Sequence, residues 1–169
     1  MRGHLSAEPG YQSRLLRFLE NHDEPRIASR LPVDAQKAAA VALATLPGAT
    51  LWHEGQFDGR HVRPPVFLSR RPDEPPDSEL DDWYRRLLAT IAEHNVRSGD
   101  WQLLETTGWA DNQSYRHLLA WSWSGDGDTR HVIVVNLSDQ PAQGESPAGR
   151  TRPPWRHLPA QRPAPRHRV

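Results

Sequence analysis

The apolar pattern changes its period near Gly99, and that change limits what the chain can fold into. Before it, short β-like runs alternate with helical stripes. Leu15-Leu16-Arg17-Phe18-Leu19-Glu20 reads as a strand ending in Asn21-His22-Asp23-Glu24-Pro25, a loop-forming cluster. Asp34 to Thr45 is Ala-rich, with Gln36 and Lys37 on a polar side, and Pro47-Gly48 stops it as a helix. Ala49-Thr50-Leu51-Trp52 is a second strand, closed by the turn His53-Glu54-Gly55-Gln56 and followed by an Arg/Pro-rich loop over 57–76. Leu80, Trp83, Tyr84, Leu87, Leu88 and Ile91 then form one apolar stripe and predict a helix from about Ser78 to His94. Ser78 and Asp81 stand at capping-box spacing, and Asn95 or Gly99 offers the stop.

After Gly99 every apolar run is β-like: Trp101–Leu104, Leu118–Trp123 and His131–Leu137. The last two flank the turn-rich 124–128, which predicts a hairpin. Strand, helix, strand, helix favours an α/β arrangement with parallel strands. The expected division is an α/β part over 1–99, an antiparallel β part over 100–145 and a tail over 146–169. From Arg150 onwards the chain has six Arg, no acid, and Pro at 153, 154, 159, 163 and 165. So few aliphatic residues cannot bury enough surface to offset ordering entropy, and the tail is expected to be disordered.

Composition narrows the partners. Lys plus Arg equals Asp plus Glu, so no net field steers the chain to nucleic acid or an acidic membrane. No Cys is present, which excludes disulfides and thiolate zinc sites. The start, MRGHLSAEPG, lacks an apolar segment of signal-peptide length, and no run is long enough to span a bilayer, so a soluble, cytoplasmic protein is expected.

Arg17 to Arg26 is the segment with chemistry. It sets an ionisable cluster just past the carboxyl end of a predicted parallel strand, the edge where α/β folds build active sites. Asn and Asp after a strand are also ordinary turn formers, and a His beside them is often simply solvated; the residues alone leave both open.

Phe18-Leu19-Glu20-Asn21-His22-Asp23 resembles the F-x-x-N-H-D pattern after the seventh barrel strand of the α-amylase family. A helix, Leu46-Pro47-Gly48, another strand and His53-Glu54-Gly55-Gln56 follow in the order that family shows, so the resemblance covers roughly residues 10 to 145. It implies the last two strand–helix units of a (β/α)8 barrel, then an incomplete antiparallel β-domain. It also implies a retaining mechanism on α-glucans or maltooligosaccharides, with nucleophile and general acid/base about 5–5.5 Å apart. By resemblance Asp23 is the third carboxylate, which stabilises the transition state, and His22 donates to the same sugar. Asn21 and Arg26 belong to the substrate-binding loop as its supports. The nucleophile and acid/base come from the fourth and fifth barrel strands, which should lie upstream; about twenty residues precede Asp23, so the chain alone is expected to be silent. Glu20 is expected within its strand and Glu54 in a separate loop, and neither is a substitute. In this family calcium is usually held by a domain inserted earlier in the barrel, so no metal and no cofactor are expected.

Two other functions stay open: a non-catalytic carbohydrate-binding remnant using His22, Asp23 and exposed Trp residues, and one half of a split enzyme completed by an upstream fragment. Trp101, Trp109, Trp121 and Trp123 suit the core of a small β-domain better than a sugar platform. Gly125-Asp126-Gly127-Asp128 lacks the spacing and closing Glu of a calcium loop. A piece of barrel standing alone would carry unpaired edges and uncovered apolar faces.

Overall fold

The computed structural model of the protein describes residues 2–67, 70–125 and 129–146. In chain order it contains α1 (Arg2–Leu5), α2 (Pro9–Gln12), β1 (Leu16–Arg17), a 3-10 turn (Ile27–Ser29), α3 (Val33–Thr45) and β2 (Ala49–Thr50). After these come α4 (Ser78–Glu93), β3 (Asp100–Leu104), a second 3-10 turn (Ser114–His117), β4 (Leu118–Ser124) and β5 (Arg130–Asn136). β1 and β2 pair in parallel, Leu16 opposite Ala49 and Arg17 opposite Thr50. A parallel pair needs a crossover, and α3 is that crossover. β3, β4 and β5 form an antiparallel sheet in sequence order, Trp101 facing Trp123 and Trp121 facing Ile133.

Both parallel strands are shorter than the sequence predicts. β1 ends at Arg17, so Glu20 lies in the loop and not within the strand. α3 and α4 match their predicted spans to within a residue or so. The cap of α4 differs: Asp77, one residue before Ser78, accepts a hydrogen bond from the Leu80 N–H at 3.0 Å. The side chain that caps must precede the helix, and Ser78 is already inside it. Past the helix, Asn95 takes φ 48° and Gly99 φ 85°. At Gly99 a Cβ would run into the Ser124 carbonyl, so only glycine lets β3 start beside β4. α1, α2 and both 3-10 turns carry no periodicity that would announce them. Asp126–Asp128 of the predicted hairpin turn, and the predicted tail from 147 on, lie outside the described residues.

The core forms around α3. On one side Ala42 and Leu46 join Leu5 with Leu119, Trp121, Trp123 and Val135. On another Ala40 packs with Leu80 and Tyr84, alongside Leu19, Trp52, Phe57 and Trp83. A helix touched on several sides must be thin, which is what its alanines provide. Gln36, predicted on a polar side, is buried and donates to the Leu31 carbonyl at 2.9 Å. Trp121 and Trp123 are core residues; Trp123 Nε1 donates to the Thr45 carbonyl at 2.7 Å, tying the antiparallel sheet to the end of α3. Trp109 is exposed.

Candidate functional site

Parallel strands send their following loops to the same edge of the sheet. Residues 18–26 leave the carboxyl end of β1 and residues 51–60 that of β2, so the two loops meet. What joins them is a buried charged cluster. The Glu20 and Arg26 side chains are 1% and 3% exposed, with Arg26 Nη1 2.7 Å from Glu20 Oε1. The same Nη1 lies 2.6 Å from the Glu54 carbonyl and 2.7 Å from His53 Nδ1. Guanidinium only donates, so Nδ1 accepts, the His53 ring proton sits on Nε2, and three acceptors share two protons. Glu20 Oε2 accepts from the Ile27 N–H, which fastens the end of the first loop. Glu54 also pairs with Arg71.

Above this anchor stand the sequence-predicted residues. Asn21 Oδ1 accepts from the N–H groups of Asp23 (2.8 Å) and Glu24 (2.9 Å), an Asx turn that fixes the loop tip. Arg63 donates to the Asp23 carbonyl from the long loop. His22 and Asp23 face solvent, their side chains 69% and 76% exposed and His22 Nε2 3.3 Å from Asp23 Oδ2. Neither cavity described below is lined by them. Arg26 is committed to protein partners and presents no face to a ligand; Asn21 likewise acts on the backbone. The structure therefore brings Asn21, His22, Asp23 and Arg26 into one loop, with two pointing out and two holding it.

Two cavities open elsewhere. One of about 350 Å³ runs along Leu15–Leu19 against Ala39, Ala42 and Leu43. Another of about 180 Å³ lies between the 28–36 segment and Gly59, His61, Asp77 and Leu80. Among the described residues no group of three or more His, Asp or Glu is arranged to hold a metal ion, and no helix is long and apolar enough to cross a membrane.

Over 141 residues the chain is 30% identical to alpha-amylase MalA of Haloarcula japonica, a match spanning 83% of this chain and 20% of that protein. Over most of its own length the chain is similar to an α-amylase. Two solved structures share its fold, each at 23% identity. The maltogenic alpha-amylase AmyB of Thermotoga neapolitana superposes with a TM-score of 0.59 over 72% of this chain and 28% of its own. The debranching enzyme of Nostoc punctiforme gives 0.55 over 80% and 27%. The chain thus spans about a fifth of the curated relative's length. No family model matches it.

Glu20 and His53 were legible as residues but not as a network. Glu20 follows an apolar run and reads as a strand position; its pairing with Arg26 six residues on appears only when the loop closes. Nothing in the sequence marks Arg63 or Arg71 as partners of that loop.

Proposed function

We propose that the loop over 18–26 is part of the sugar-gripping rim of an α-glucan-active retaining glycoside hydrolase or transglycosylase. Asp23 is the carboxylate that supports the transition state, and His22 hydrogen-bonds the same sugar. Asn21 and Arg26 hold the loop. The barrel belongs to the same proposal: residues 1–99 are its last two strand–helix units, and 100–145 begin the C-terminal β-domain. The parallel β1–α3–β2 unit supports this, because it sends both loops to one edge with Asp23 exposed at the tip and braced from beneath. Asp23, His22 and Glu24 are the exposed ionisable side chains of that loop, and Asp23 and His22 lie within 3.3 Å of each other.

The chain alone carries no turnover in this proposal. Retaining chemistry needs two more carboxyl groups about 5–5.5 Å apart across the scissile bond. Glu20 is buried against Arg26 and Ile27 and is not available as nucleophile or acid, and Glu54, on the other loop and paired with Arg71, is not assigned either role. Calorimetric titration of the chain with maltoheptaose tests the reading. Weak saturable binding, lost in Asp23→Asn and without release of shorter sugars, is expected. Binding that ignores Asp23→Asn contradicts the rim assignment, and hydrolysis by the pure chain contradicts silence.

A further inference from the structure

At the amino end of β2, away from the Asp23 loop, two arginines sit side by side without a counter-charge. Arg17 Nε donates to the Pro47 carbonyl at 2.7 Å, and its Nη2 to Gln12 Oε1. Arg97, arriving from beyond α4, donates through Nη2 to the next carbonyl, Gly48, and through Nη1 to Thr50 Oγ1 at 3.5 Å. Consecutive carbonyls thus hold the two guanidinium groups close together. Neither forms an ion pair with a carboxylate among the described residues. Burial lowers the pKa of each, and the charge of Arg97 lowers that of Arg17 further.

α3 ends at Thr45, two residues before the first of these carbonyls, and a helix terminus offers only about −0.5 of a charge. Set against two full positive charges, that leaves a net attraction for an anion. Donors remain to receive one: Arg17 Nη1 and Arg97 Nε make no hydrogen bond among the described residues, and neither is among the buried atoms lacking a partner, so water reaches both. Carboxylates and phosphates both take the paired donors of a single guanidinium. Here the open donors belong to two different guanidinium groups, and a tetrahedral oxyanion has oxygens enough to meet both.

We propose that Arg17 and Arg97 form a phosphate-binding site, taking inorganic phosphate or the phosphoryl group of a sugar phosphate. This site is independent of the rim and of the glucan reading.

The test uses the full chain with ¹⁵N-labelled arginine, titrated with sodium phosphate while chloride keeps the ionic strength constant. Saturable shifts of the Arg17 and Arg97 Nε–H signals are expected, with a rise in Tm by mass action. Arg17→Met and Arg97→Met should each weaken binding at least tenfold, and Arg97→Lys less. Glucose 6-phosphate forms the second arm. Binding in either arm, with the same loss in the variants, supports the site and says whether the phosphoryl group is free or sugar-borne. Shifts no larger than those from chloride, or undiminished binding in a folded Arg17→Met chain, overturn it. Should the Met variants not fold, absence of saturable shifts in the unaltered chain does the same.

Discussion

Glu20 and Asp23 are both carboxylates of one loop, three residues apart, and burial separates their roles. Breaking a buried pair by removing one partner leaves an uncompensated charge, a cost of about 3–5 kcal/mol. Glu20→Ala should therefore destabilise the chain by about that amount in urea denaturation, since Arg26 would stay buried. Asp23→Asn, at an exposed tip, should change stability by no more than about 0.5 kcal/mol while removing saccharide binding. Equal effects of the two substitutions on stability would contradict the structure. Glu74 ties the long loop by accepting from the His61 and Val62 N–H groups at 2.8 and 3.2 Å. Burial acts to raise its pKa, but these backbone donors, with Arg60 and His61 nearby, outweigh it and hold the carboxyl below its usual range. A lowered folded-state value means the contribution is full above the ordinary Glu pKa of about 4.3 and lost as pH falls through the folded value. Protection of the His61 and Val62 amides against hydrogen exchange should follow that course, and Glu74→Gln should weaken it at neutral pH.

At the scale of elements, the joints matter more than the helices. Gly48 has φ 100°, and a Cβ there would meet the carbonyl oxygen of Leu15, the residue just before β1. Gly48→Ala meets both left-handed strain and a backbone clash, so a loss above about 1 kcal/mol is expected in Tm or urea measurements. Asp77→Ala removes the cap of α4 and should cost about 1 kcal/mol, read in the same way. Ser78→Ala should cost less, because Asp77 and not Ser78 makes the capping bond; the reverse order would contradict the assignment. α4 was readable from its stripe because six apolar residues repeat at helical spacing. The cap was not, because Asp77, Ser78 and Asp81 all belong to cap-favouring types and the sequence does not say where φ and ψ turn helical.

Across the whole molecule, one apolar cluster spans α3 and the antiparallel sheet. Trp121 is fully buried within it, so Trp121→Ala should cost about 3–5 kcal/mol. Helix and sheet should unfold together, with tryptophan fluorescence and far-ultraviolet dichroism reporting one midpoint. Two separated transitions would show that the cluster does not couple them. The parallel sheet tells a different story. Ala49 and Leu51 N–H groups bond the Leu15 and Arg17 carbonyls, so the backbone of Leu16 and Phe18 turns to the other edge, where no strand pairs among the described residues. Leu16 and Phe18 are 57% and 41% exposed beside the larger cavity. An open apolar edge promotes association. Leu16→Lys should lower the light scattering of concentrated samples without lowering Tm.

Local sequence pattern was enough for the order of strands and helices, for the two long helices and for the loop that carries Asn21, His22 and Asp23. Those features rest on local periods and on turn chemistry, which neighbours along the chain can specify. It took the folded chain to show that Glu20, Arg26 and His53 form a buried brace and that Gln36 is inside. Folding also set Arg17 beside Arg97 and joined α3 to the antiparallel sheet through Trp123. Each of these depends on groups brought together across many residues of chain, and a polar side chain becomes a structural one only when folding removes its water.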